Sequence, residues 1–137
     1  MDHLVAYAIA LPLMLAADAV WLGLAVPLFY RRRIGRLLRQ PPRWGAAALF
    51  YLVYPAGLVF FAVSTGFDSG GPTIAAFHGL LFGFFTYFTY NATNLAVMDG
   101  YDALVAAIDT AWGSLMGMVV AALTVEVLAR VSPLTVG

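Results

Sequence analysis

The sequence has no cysteine and no lysine, and only 10% of its 137 residues are charged, against roughly 25% in soluble domains. Without cysteine there are no disulfides, no thiolate metal sites and no cysteine nucleophiles. So little charge cannot clothe a water-exposed surface. Histidine is scarce as well: His78 is the one histidine inside an apolar run, so neither a transition-metal site nor a cofactor is expected. There is no phosphate-binding glycine loop, dinucleotide fingerprint, HExxH motif or nucleophile elbow. Their absence excludes the soluble enzymes those motifs mark, but not membrane enzymes built on scattered Asp, His and Asn. The roughly ten-residue alternation of membrane strands is also missing.

What remains is apolar, 63% of the chain. Four runs with little or no charge stand out: Leu4–Tyr30, Gly45–Phe67, Pro72–Met98 and Ala103–Val125. Runs of this length span roughly 34–40 Å as helices, enough to cross a bilayer with some tilt. Backbone groups in lipid must be paired within the segment, which selects helices. The expected fold is all-α: one domain over residues 1–137, four transmembrane helices in an antiparallel bundle. The helices are placed at about 4–30, 45–67, 72–98 and 103–130, with an arginine-rich loop at 31–44. Gln40-Pro41-Pro42, Asp68-Ser69-Gly70-Gly71-Pro72 and Asp99-Gly100-Tyr101-Asp102 supply turn chemistry between them. Asp102 is placed to cap the fourth helix. Met1-Asp2-His3 lacks the basic start of a cleaved signal, so the first helix is read as retained.

Six of the seven arginines, Arg31, Arg32, Arg33, Arg36, Arg39 and Arg43, lie in the first connection. Short basic loops stay in the cytoplasm. That connection is therefore expected inside, with both termini outside, in a bacterial inner membrane. Ile34, Leu37 and Leu38 alternate with these arginines as a short amphipathic helix would, resting on anionic lipid headgroups. Nucleic acid is not an expected partner, since an arginine loop without a reading motif does not specify one.

Asp18 lies near the middle of the first run, and Asp109 repeats the pattern in the fourth. A carboxylate inside such a helix costs about 2.5–3.5 kcal/mol on insertion scales, so it faces a partner or a cavity. Helix three carries Gly79 and Gly83, and helix four Gly113 and Gly117; small residues four apart let helix backbones approach in lipid. At helical period the glycine stripe of helix three continues toward Tyr87, Tyr90, Asn91 and Asn94. Asp109 shares the stripe of Gly113. Counted from the turn between these helices, Asp109 and the Tyr90/Asn91/Asn94 group fall at one depth. Asp18 lies about 9 Å deeper, with Trp21 one turn away, and helix two adds Tyr51, Tyr54 and Pro55. Pro12, Pro27 and Pro55 release carbonyls that the hydroxyls of Tyr54, Thr86 and Thr89 are available to satisfy. The expected binding residues are Asp18, Trp21, Tyr54, Tyr87, Tyr90, Asn91, Asn94, Asp109 and Trp112, with no metal and no assigned catalytic group.

Several segments match a known pattern: Asp18-Ala19-Val20-Trp21-Leu22-Gly23, Phe29-Tyr30-Arg31, Leu49-Phe50-Tyr51-Leu52, Gly83-Phe84-Phe85-Thr86-Tyr87, Thr89-Tyr90-Asn91-Ala92-Thr93-Asn94-Leu95-Ala96 and Asp109-Thr110-Ala111-Trp112-Gly113. In their order the chain resembles a bacterial membrane-protein family catalogued as domain of unknown function 2177. The resemblance implies a four-helix inner-membrane protein and supplies no activity. It also implies an Asp where this chain has Asn91, which speaks against a proton relay at that position.

Three functions are compatible with these residues. The first is binding or translocation of a small solute, cation or lipid headgroup at the carboxylate/amide site. Four helices enclose little volume, so transport would need a homodimer. The second is a lipid-modifying enzyme or accessory, with Asp109 as general base. The third is a structural or pigment-binding subunit of a larger complex.

Overall fold

The computed structural model describes the backbone of residues 1–136 and the side chains of residues 1–132. All regular structure among the described residues is helical, arranged as four long helices joined by short turns. Helix α1 spans His3–Leu37, α2 Trp44–Ser69, α3 Pro72–Val97 and α4 Ala103–Val136. Three stretches, His3–Leu37, Trp44–Ser69 and Ala103–Ser132, are long and apolar enough to cross a membrane. Helix α3 has 26 residues, but His78, Thr86, Tyr87, Tyr90 and Asn91 make it more polar than the other three.

Local chemistry sets the helix starts. The Asp2 carboxylate accepts the Leu4 and Val5 amides at 3.0 and 3.3 Å and caps α1. Gly71, at φ +86°, makes the tight turn that admits Pro72 as the first residue of α3. Asp102 accepts the Val105 amide at 3.1 Å and caps α4.

The arginine segment departs from the expected loop. Helix α1 passes through a π turn at Val26–Tyr30 and stays helical over Arg31–Ile34, and a 3₁₀ turn carries it to Leu37. Ile34 steps out of helical dihedrals at φ −129°, ψ 22°, and the chain turns extended at Leu38. Ile34 is buried with Ala25, Tyr30 and Val105, and Leu37 and Leu38 pack on that cluster. The apolar face of this segment therefore turns onto the protein itself, which removes it from a lipid surface. Burying Ile34 also holds the extra turns in place.

The π turn has a second effect. Inward positions of α1 recur every four residues at Ala6, Ala10, Met14 and Asp18, but the step from Ala25 to Tyr30 is five. A π turn adds one residue to the turn and rotates the rest of the helix about its axis. Tyr30 thereby takes the interior place that an uninterrupted α-helix would assign nearer Phe29.

Helices α3 and α4 form the tightest pair. A side chain on Gly79 would strike the Gly117 carbonyl, and one on Gly83 the Gly113 carbonyl. The numbering rises on one helix as it falls on the other, so this pair is antiparallel. The first half of α2 stands away from α3, bridged by Tyr54 and Phe82, and its second half closes against α3. The hydroxyls expected to satisfy proline-released carbonyls do otherwise: Thr86 and Thr89 bond carbonyls of their own helix, and Tyr54 meets Thr86. Near Pro55 it is the Tyr7 hydroxyl that donates, to the Leu52 carbonyl at 2.8 Å. Two apolar clusters result, a large one around Met14, Leu58 and Met116 and a small one around Ala25, Ile34 and Val105. The polar residues lie between them.

Candidate functional site: a carboxylate and aromatic cavity

Asp18 is 5% exposed, and both of its oxygens are occupied. Trp112 donates its indole N–H to Oδ1 at 2.9 Å, and the Tyr51 hydroxyl donates to Oδ2 at 2.9 Å. Asp109 is held in a parallel way: the Tyr30 hydroxyl donates to Oδ1 at 2.8 Å and the Asn91 amide to Oδ2 at 2.8 Å. Trp21 donates to the Tyr30 hydroxyl at 3.3 Å and stacks on Trp112, with ring centroids 4.8 Å apart. Hydrogen bonds and one indole stack thus join the two carboxylates into a single network reaching all four helices. No buried side-chain nitrogen or oxygen among the described residues lacks a partner.

At the turn end, the Tyr101 hydroxyl donates to Asn91 Oδ1 at 2.6 Å. Burial raises the pKa of this phenol, and a hydrogen bond with Asn94 opposes the shift. Tyr101 therefore stays protonated and remains a donor. Asn91 in turn accepts from Tyr101 and donates to Asp109, a double role that an ionised carboxylate at position 91 could not fill.

The charge balance of the site is one-sided. Among the described residues the ion pairs are Arg33–Asp102 and Arg130–Glu126, both 3.0 Å and both away from these carboxylates. Every donor to Asp18 and Asp109 named above is neutral. No group of three or more His, Cys, Asp or Glu side chains converges among the described residues to hold a metal.

Both carboxylates line one cavity of about 600 Å³. Its wall is mostly aromatic: Trp21, Phe50, Tyr51, Tyr54, Tyr87, Tyr90 and Trp112, closed by Leu22, Ala46, Ala47 and Thr86. A second cavity of about 330 Å³ lies toward the arginine end, lined by Tyr30, Asn94 and Tyr101 among others. This layer of polar side chains inside apolar helices is the arrangement of a membrane protein. A match to the family described as "Predicted membrane protein (DUF2177)" runs over residues 3–126. The chain belongs to that family. No curated protein and no solved structure matches it. This member of the family is a multi-pass membrane protein with an all-helical fold.

Of the residues singled out from the sequence, Asp18, Trp21, Tyr54, Tyr87, Tyr90, Asp109 and Trp112 meet at the larger cavity. Asn91 stands behind Asp109, 1% exposed, and does not line the cavity. Asn94 faces the smaller cavity instead. Tyr90 stands at the rim, 60% exposed, outside the buried row Gly79, Gly83, Asn91. Gly79 and Gly83 meet Gly117 and Gly113 across the α3–α4 contact, and the Tyr87 ring packs over Gly113. Tyr51, noted on α2 beside Tyr54 but left out of the expected binding residues, lines the cavity and donates to Asp18. Three contributors are new. Phe50 lies on the same face as Tyr54. Tyr30 was concealed by the π turn, and Tyr101, in a turn, has no helical period to betray it.

Proposed function

We propose that this protein binds a small organic cation in the larger cavity, held between Asp18 and Asp109 and wrapped by aromatic faces. The observation that carries this reading is the pairing of two carboxylates with neutral donors alone in one cavity. A buried anion without a cation is costly, and a cationic ligand supplies the missing charge. Indole and phenol faces add cation–π attraction of about 0.5–2 kcal/mol each, the most when water is excluded. An alkylated ammonium suits both features. An anionic solute would oppose the carboxylates, and a neutral one would leave them uncompensated.

The side of approach follows from the rim. Leu22, Phe50 and Tyr90 are 42%, 40% and 60% exposed at the mouth, where the first half of α2 stands away from α3. A mouth edged by apolar side chains at membrane depth admits a cation with an apolar body from the lipid. In this reading α3 crosses the bilayer with the other three helices, as an antiparallel bundle. The arginines then face the cytoplasm of a bacterial inner membrane, with both termini outside. Arg31, Arg32, Arg39 and Arg43 are exposed to anionic headgroups at that surface. Movement of the cation across the membrane would use a homodimer whose halves share the route.

Tetraphenylphosphonium binding to the purified protein, followed by quenching of Trp21 and Trp112 fluorescence, tests the assignment. Asp18→Asn keeps the shape and removes the charge. The expected loss is about 2–5 kcal/mol, the range for deleting one partner of a desolvated charge pair. Equal affinity in the parent and the variant contradicts the reading.

A further inference from the structure

The two cavities share three lining residues, Leu22, Tyr90 and Asp109. Asp109 is therefore a wall of both, with Tyr30 and Asn91 fixing its carboxylate from two directions. The smaller cavity runs from Asp109 to Leu37, Leu38 and Met98, where α1 leaves helical geometry and α3 ends. Met98 is 39% exposed there. On this side Tyr30, Tyr90, Asn94 and Tyr101 bring polar groups to the wall, a lining that water can wet.

The arginine end is also braced. Arg33 pairs with Asp102 at 3.0 Å, and its guanidinium carbon lies 5.3 Å from the Phe29 ring centre. The Arg36 guanidinium packs on Gly100, whose φ of +84° and lack of a side chain make room for it. These contacts tie the end of α1 to the α3–α4 turn and hold the mouth of the smaller cavity in shape.

We propose that the smaller cavity is an aqueous vestibule linking Asp109 to the arginine end of the bundle, with Leu22 and Tyr90 as the partition shielding the larger cavity from it. Asp109 then exchanges with water at that end, and Asp18 does not. The two carboxylates have different access: Asp18 from the lipid-facing cavity alone, Asp109 from that cavity and from the basic surface. The vestibule stands independently of whether the larger cavity takes a cation.

The absence of native cysteine makes single-cysteine labelling of the 137-residue chain direct. Asn94→Cys and Met98→Cys report the vestibule, Thr86→Cys the larger cavity, and Gln40→Cys marks the arginine face. Each is exposed in sealed vesicles to a membrane-impermeant trimethylammonium methanethiosulfonate, applied to either side. Asn94→Cys and Met98→Cys are expected to react from the face that labels Gln40→Cys, and Thr86→Cys to stay unlabelled from it. Adding Tyr90→Ala to Thr86→Cys is expected to open the partition and turn no labelling into labelling. Should Asn94→Cys fail to fold, Met98→Cys carries the test, being at the exposed mouth. Vestibule cysteines that are silent from the Gln40 face, or labelled only from the opposite one, overturn the proposal. So does labelling of Thr86→Cys from that face with Tyr90 intact.

Discussion

Trp21 and Trp112 lie face to face, ring centroids 4.8 Å apart and planes 2° from parallel, yet their indole N–H groups serve different carboxylates. Trp112 donates to Asp18, and Trp21 reaches Asp109 through the Tyr30 hydroxyl. The stack is where helices α1 and α4 join the two halves of the network. Closely stacked indoles couple electronically, which gives the pair a spectroscopic signature. Trp112→Phe is expected to abolish that signature in near-ultraviolet circular dichroism. It also leaves Asp18 short of one donor, at a cost of about 1–3 kcal/mol. Trp44, 71% exposed and outside the stack, is the control: Trp44→Phe is expected to leave the coupled signal intact.

Tyr30→Phe removes one oxygen and little volume. Asp109 Oδ1 loses its donor and the Trp21 indole loses its acceptor, both part-buried. Leaving such groups unpaired costs about 1–3 kcal/mol. Thermal unfolding in detergent measures it, and a variant as stable as the parent would show that water replaces the hydroxyl.

The glycine contacts separate steric need from mere helix composition. Gly83→Ala is expected to force α3 off α4, because the new methyl meets the Gly113 backbone, which cannot turn aside. Overpacking of this kind costs about 1–3 kcal/mol. Gly23→Ala has nothing within 4 Å of the added carbon, and is expected to be neutral or to stabilise by about 0.4–1 kcal/mol. Unfolding curves of the two variants, measured together, check the contrast.

Asp102 has two tasks, the cap on α4 and the ion pair to Arg33. Asp102→Asn retains a capping oxygen and loses the pair, whose partners are 43% and 27% exposed. An exposed pair of this kind is worth about 0.2–1 kcal/mol. Asp102→Ala also loses the cap, about 0.5–2 kcal/mol. Added salt is expected to narrow the gap between the parent and Asp102→Asn, and to leave the cap contribution of Asp102→Ala in place.

The positions of the long helices were legible because apolar runs end at residues with strong turn chemistry, such as Gly71-Pro72 and Asp102. The meeting of Asn91 with Asp109 was legible too. Both lie seven residues from the same turn, and α3 and α4 pack on their glycine stripes without interruption. Tyr30 was not legible, because one π turn shifts every later inward position by a residue, and no local composition announces it. A short helix near Ile34, Leu37 and Leu38 was legible from their spacing, but its continuity with α1 and the direction of its apolar face were not: Ile34 is buried against Val105 instead of resting on lipid. Tyr7 escaped as well, since its bond to the Leu52 carbonyl joins positions 45 residues apart.

The most direct test of a cation site compares two ions of nearly the same size and shape but opposite charge, tetraphenylphosphonium and tetraphenylborate, titrated against the fluorescence of the Trp21–Trp112 pair. Saturable quenching by the phosphonium alone, weakened in Asp18→Asn and in Asp109→Asn, is the expected result. Equal quenching by both ions, or tighter binding of the borate, would contradict it.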